Sequence, residues 1–181
     1  MGVVDLATAP DGTEVALKRL SLHGTPEEIA RARARIRREA EVLRSLSHPG
    51  IVRLVDLVDD GDDVVLVMPY LPGGSLHERV TRDGPLDPET VSVIADRLLD
   101  ALAAAHRHGI VHRDIKPENV LIERDGGLRL IDLGVVRLPR LEDFPATDIP
   151  GTPSYMAPEL FDGEPGNEFS DQYALGVTLY R

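Results

Sequence analysis

Residues 3–7 form a short apolar-rich run and residues 14–20 alternate between polar and apolar, with the turn sequence Ala9-Pro10-Asp11-Gly12 between them. A period of two broken by Pro-Asp-Gly predicts an antiparallel hairpin. At Thr25 the period changes. Thr25 offers a hydroxyl N-cap and Pro26 a first helical residue whose missing N–H would have had no partner anyway. A helix rich in Arg and Ala is therefore expected to run to about Ser47, where His48-Pro49-Gly50 ends it. Two more strands are expected over 51–58 and 64–70, split by an acidic turn at 59–63. Pro72-Gly73-Gly74 then breaks the pattern and marks a boundary between two lobes. Beyond it apolar positions recur every three or four residues, which predicts helices over 75–82 and 87–108, the second closed by Gly109. Residues 110–132 hold short strand-like runs around a polar loop. Residues 139–153 are rich in Pro, Gly and acids, and a last helix is expected from about Ser170. Arg181 falls inside an apolar, helix-compatible run, which reads as the end of a truncated fragment.

Composition narrows the function. The 181 residues suit one domain or two small lobes sharing a site, and 42% apolar content is enough for a core. With 31 acidic against 20 basic residues the net charge is -11, which argues against non-specific nucleic-acid binding, since that rests on neutralising phosphates. The absence of cysteine excludes a disulfide framework, a thiolate zinc site and a cysteine nucleophile, and is compatible with a reducing cytoplasm. No apolar run approaches the roughly 20 residues of a membrane span, and no signal-peptide pattern opens the chain.

Three separated clusters carry chemistry. Val15-Ala16-Leu17-Lys18 puts an ammonium after an apolar strand run, where it can meet a nucleotide phosphate; taken alone, a solvated lysine is the commoner reading. His112-Arg113-Asp114-Ile115-Lys116-Pro117-Glu118-Asn119 sets an acid, a lysine and an amide in one short loop. Those are a hydroxyl-positioning base, a phosphate counter-charge and a metal ligand. Asp132-Leu133-Gly134 places an acid after a strand-like run, where it can hold Mg2+.

Taken together the clusters resemble the protein-kinase superfamily over essentially the whole chain. The first matches V-A-I-K, the second H-R-D-x-x-x-x-N, and the third D-F-G with Leu133 for Phe. Gly151-Thr152-Pro153-Ser154-Tyr155-Met156-Ala157-Pro158-Glu159 is similar to the segment ending in A-P-E. Asp171 with Ala174-Leu175-Gly176-Val177 looks like the start of the large lobe's central helix.

The resemblance implies a two-lobed α+β fold: a small antiparallel β lobe over 1–68, a hinge at 69–72 and a mainly helical large lobe over 73–181. It also implies truncation at both ends, with the first strand and two glycines of the phosphate loop missing and the later helices absent. Such a fragment is expected to be poorly stable and weakly active or inactive alone.

The roles implied are those of an ATP- and Mg2+-dependent serine/threonine kinase of bacterial type, acting on protein hydroxyls in the cytoplasm without nucleic-acid or membrane contact in this segment. Lys18 would hold the α- and β-phosphates, paired with Glu39; the competing reading makes Glu39 an exposed helix acid on Arg35, a part that also suits Glu41. Asp114 would orient the acceptor hydroxyl and take its proton, Lys116 would face the γ-phosphate, and Asn119 and Asp132 would bind Mg2+. Met68, Pro69 and Leu71 align with the adenine hinge, with Val4 and Ala16 above the base and Leu121 below. Arg113 suggests activation-segment phosphorylation with Thr147 as the leading site, including self-phosphorylation, and Thr152 would fix Asp114 and Lys116. His112 is expected to be buried, whereas His23, His48, His77, His106 and His108 read as structural or surface residues. The arginines of the long helix read as a solvated face. Two rivals remain: a pseudokinase scaffold that binds nucleotide without turnover, and a phosphotransferase acting on small molecules.

Overall fold

The two-residue period at the start of the chain folds into a four-stranded antiparallel sheet of order β1-β2-β4-β3. The strands are β1 Val3–Thr8, β2 Glu14–Ser21, β3 Asp56–Asp60 and β4 Asp63–Pro69. The structure, a computed structural model, describes residues 3–61, 63–133 and 153–180. Gly2, Gly134, Thr147, Gly151 and Thr152 lie outside them. One helix, α1 (Pro26–Ser45), accompanies this sheet. Its start is fixed by a capping box in which Glu28 N donates to Thr25 Oγ1 at 3.3 Å and Thr25 N donates to Glu28 Oε2 at 2.7 Å. Ile36 and Ala40 of α1 are buried with Leu20, Leu22, Leu54, Val64 and Leu66, which makes the core of this part.

The expected strand over 51–58 divides. Ile51 forms a parallel bridge with Leu130, and Leu130 N donates to Gly50 O at 2.8 Å, so the apolar residue that opened the pattern serves a different partner. Asp59 and Asp60, expected in a turn, belong to β3. Asp60 pairs with Asp63, and Gly61, at φ 63°, follows β3 directly. Acidic side chains suit an edge strand, where they discourage pairing with another chain.

The described chain forms two compact units that meet in sequence at Tyr70 and Leu71; residues 48–51 belong to the second. The second unit holds α2 (Leu76–Asp83), α3 (Pro88–Arg107), the two-stranded hairpin β5 (Val120–Ile122) and β6 (Leu128–Leu130), α4 (Pro158–Phe161) and α5 (Glu168–Tyr180). Ser75 and Asp87 cap α2 and α3 as side-chain acceptors, and Gly109, at φ 71°, closes α3 by donating to His106 O at 2.8 Å. Glycine is required at position 73 for another reason: a Cβ there would lie 2.0 Å from Ile122 O. The short α4 has no counterpart in the periodicity. Helix α5 begins two residues before the expected Ser170, because Asn167 Oδ1 accepts from Phe169 N at 2.8 Å and Ser170 N at 3.2 Å. The fold class is α+β. Among the described residues no helix is long and apolar enough to cross a membrane.

Candidate active site

Register in the first unit sets out the β-strand residues of the expected nucleotide site. Lys18 lies between Val4 on β1 and Leu66 on β4, Ala16 between Leu6 and Met68, and Val15 opposite Pro69. Side chains alternate along a strand, so Ala16 and Lys18 share a sheet face with Leu20, Leu66 and Met68. That is the face that packs against α1, since Leu20, Leu66 and Met68 all join the core cluster with Ile36 and Ala40. Glu39 adjoins Ala40 on α1 and its side chain is 30% exposed. Its Oε1 accepts from Arg35 Nε at 2.7 Å. Of the two acids considered for the Arg35 contact, Glu39 makes it, and Glu41 is exposed.

In the second unit the polar loop after α3 turns through the 3-10 segment Pro117–Asn119 into β5. Asp114 Oδ2 lies 2.9 Å from Lys116 Nζ. Asn119 Nδ2 donates to Asp114 O at 2.7 Å and to its Oδ2 at 3.1 Å. Ile131 N donates to Asn119 O at 3.0 Å, extending the hairpin by one bond and placing Asp132 immediately after it. Acid, lysine, amide and second acid are thus tied into one loop–hairpin assembly. Leu121 sits between buried Val120 and Ile122, and Leu71 is half-buried at the start of the unit.

His112 fastens this assembly from inside. It is 1% exposed. Its Nε2 donates to Ile131 O at 2.9 Å, and Nδ1 accepts from Asp114 N at 3.3 Å. One nitrogen donating and one accepting is the pattern of a neutral imidazole. Burial pulls its pKa below the ordinary histidine value, outweighing the opposing charge of Asp171. The sign of the linkage follows. Below about pH 6.5 the unfolded chain takes up a proton that folded His112 refuses, so stability falls with pH there and is fully present above it. The urea midpoint is expected to be flat between pH 7 and 8 and to drop toward pH 5, with a shallower drop in His112→Asn. Equal midpoints at pH 5.5 and 7.5 would refute a neutral His112.

Arg113 and Asp132 take left-handed backbone angles, φ 66° and 63°, which few residues other than glycine adopt without support. The support for Arg113 comes from Asp171 on α5, which is 0% exposed. Its Oδ1 accepts from Arg113 N at 2.7 Å, and its Oδ2 from His112 N at 2.8 Å and His106 Nε2 at 2.8 Å. Sequence reasoning marked Asp171 only as the start of a helix and His106 only as a structural or surface residue. The available signal was an acid inside the apolar face of an amphipathic helix.

Beside Asp114 lies a shallow concavity lined by Ile115, Tyr155, Met156, Leu160 and Ala174. Ser170 also lines it. Ser170 Oγ donates to Glu159 Oε1 at 2.7 Å, and that bond holds the carboxyl below its usual pKa. Among the described residues no cluster of three or more His, Cys, Asp and Glu can hold a metal ion.

A family model described as the protein kinase domain matches residues 1–181. The chain is 43% identical to the serine/threonine-protein kinase PkaB of Streptomyces coelicolor, over 99% of this chain and 44% of that protein. It is 42% identical to PkaA of the same organism, over 81% of this chain and 28% of the relative. PrkC of Bacillus subtilis, also a serine/threonine-protein kinase, is 38% identical over 92% of the chain and 26% of its own length. The chain therefore spans about a quarter to just under half of the length of these relatives. Among solved structures, Rad53 residues 1–466 in complex with AMP-PNP matches with a TM-score of 0.78 and 31% identity, over 99% of this chain and 43% of that one.

Proposed function

Because the chain belongs to the protein kinase family, and its matched relatives are serine/threonine kinases, we propose that it transfers the γ-phosphate of ATP to serine or threonine hydroxyls of proteins. The observation that carries this reading is the Asp114–Lys116–Asn119 cluster tied to Asp132 through the hairpin. Asp114 orients the acceptor hydroxyl and takes its proton as the oxygen bonds to phosphorus and the bond to ADP breaks. Lys116 offsets the charge of the transferring group, so positioning and electrostatics supply most of the acceleration. Lys18 holds the α- and β-phosphates, with Glu39 as its partner in the working state. Ala16, Val4, Met68, Pro69, Leu71 and Leu121 hold the adenine.

The family uses Mg2+ with ATP, and the donor set fits a hard cation. Both Asn119 N–H bonds go to Asp114, which leaves its amide oxygen for a metal that the Asp132 carboxylate would share. Two protein oxygens, with phosphate and water completing the shell, is the usual Mg2+ arrangement. Bound Mg2+ neutralises phosphate charge. The same reading places the domain in the cytoplasm, where ATP and Mg2+ are, with Thr147 as a self-phosphorylation site.

The Arg35–Glu39 contact bears on activity. Arg35 holds Glu39 through Oε1 and competes with Lys18 for the carboxylate, but an exposed i,i+4 pair contributes only about 0.3–0.5 kcal/mol. Arg35→Ala is therefore expected to tighten ATP binding by no more than about twofold, read by calorimetry. A tenfold gain would mean that Arg35 is a strong latch.

The reading as a whole is tested by incubating the chain with Mg2+, radiolabelled ATP and a protein acceptor, followed by phosphoamino-acid analysis. Label on serine or threonine that disappears in Asp132→Asn supports it. Tight Mg2+-ATP binding with no label on any acceptor points instead to a nucleotide-binding scaffold.

A further inference from the structure

The arginines of α1, expected as a solvated face, are in part tied to the sheet. Arg33 and Arg37, one turn apart, converge on Asp59 of β3. Arg33 Nε lies 3.4 Å from its Oδ1, and Arg37 Nη2 contacts its Oδ2. Arg33 Nη2 also donates to Gly61 O, just after β3, at 2.7 Å. Arg44 repeats the pattern farther along, with Nη1 3.6 Å from Asp56 Oδ1 and Nη2 donating to Val55 O at 3.4 Å. At 3.6 residues per turn these three arginines fall within about 40° of one another around α1. The apolar stripe of Ile29, Ile36, Ala40 and Leu43 lies beside them. Glu39 stands at the far margin of that stripe, about 140° from the middle of the arginine row. Strand β3 is an edge of the sheet, and β4 separates it from β2, which carries Lys18. The flank of α1 opposite the row is therefore the one turned toward β2. Apolar packing is non-directional and lets a helix roll, whereas ion pairs and hydrogen bonds along one flank resist it. Asp59, shared by two arginines and 32% exposed, anchors the row; the Arg44 pair is more open at both ends.

We propose that Asp59 is a positioning residue: by gripping Arg33 and Arg37 it fixes the roll of α1, and so the direction in which Glu39 is presented to β2 and Lys18. It acts through Glu39 and not on the nucleotide. The hold on α1 stands on the contacts alone; its effect on nucleotide rests on the Lys18–Glu39 pairing of the proposed phosphotransfer.

The chain has no cysteine, so two introduced ones can be labelled without background. Nitroxide labels at Thr8 and Glu41, both exposed, read the distance between β1 and α1. The parent is expected to give one narrow distance distribution and Asp59→Ala a broader or shifted one, with Asp59→Glu, which returns the carboxylate, close to the parent. Calorimetry with Mg2+-ATP then reads the consequence. Asp59→Ala is expected to weaken binding about threefold to tenfold, the range for losing two or three partly exposed ion contacts. Asp59→Glu is expected to stay within about twofold of the parent, and the loss in Asp59→Ala to shrink in about 1 M KCl, where such pairs are screened. Added to Glu39→Ala, Asp59→Ala is expected to weaken binding by no more than about a further twofold, since no carboxylate is left to position. If Asp59→Ala does not fold, Arg33→Gln with Arg37→Gln removes the grip from the helix side and takes its place. An unchanged distance distribution overturns the proposal. So does an affinity lost equally with and without Glu39, or not lost at all where Glu39→Ala does lose it. If the distances behave as stated and Glu39→Ala binds Mg2+-ATP as the parent does, the Lys18–Glu39 pairing fails and the hold on α1 stands.

Discussion

Asp114→Asn is expected to fold normally, to bind Mg2+-ATP as the parent does, and to lose phosphate transfer by about a hundredfold to ten-thousandfold, the contribution of a positioned general base. Asparagine has the shape of aspartate and keeps an oxygen for the Asn119 Nδ2 bond of 3.1 Å, so the loop retains its tie to the 3-10 turn. Two things are lost. The side chain can no longer take a proton from an acceptor hydroxyl, and Lys116, 2.9 Å away, loses the carboxylate it faces. That second loss leaves the lysine facing one carboxylate fewer, so ATP affinity should hold or rise slightly. Calorimetry and a rate measurement on the same preparation separate the two effects. A variant within tenfold of the parent rate would remove Asp114 from the role of base, and a variant that also loses ATP binding would point to collapse of the loop.

Asp171→Ala is expected to act on the fold itself. It leaves two backbone N–H groups and an imidazole N–H buried with no acceptor. Breaking a buried charged network by removing one partner costs about 3–5 kcal/mol. Whole domains are stable by only about 5–15 kcal/mol, so much of the second unit's margin disappears. The urea midpoint followed by circular dichroism should fall sharply with little change in slope. Asp171→Asn should fall between alanine and the parent, since its one oxygen can still accept while its NH2 meets a donor. A loss below 1 kcal/mol in the alanine variant would show that water reaches the three donors.

These two acids differ in how visible they were before any coordinates. Asp114 stood out because its partners are letters of the same short segment: Lys116 and Asn119 follow at two and five residues. Asp171 did not, because two of its three partners are backbone amides 58 and 59 residues away, and a backbone amide has no letter. The helices were legible where a cap and a period coincide, as at Thr25, Ser75 and Asp87. The strand expected over 51–58 was misjudged for the same reason that Asp171 was overlooked. Alternation reports that Ile51 and Leu54 are buried, 3% exposed each, but not that they are buried in different units. Glu39 shows the reverse case. The spacing to Arg35 made the local ion pair readable, whereas the partner proposed for it, Lys18, lies on a strand.

The bridge between Ile51 and Leu130 bears on how this chain can be taken apart. Residues 48–51 complete the second unit although they precede all of β3 and β4 in sequence, so among the described residues the chain crosses between units three times. A split at the Tyr70–Leu71 peptide, the natural place to cleave two halves for separate expression, strands that short segment on the wrong piece. The C-terminal half would then present Leu130 with its N–H unmatched by Gly50 O, and an open hairpin edge ready to capture another chain. Circular permutation meets the same obstacle. A C-terminal half that behaves on its own therefore has to carry residues 48–51 with it, joined ahead of Leu71 by a linker.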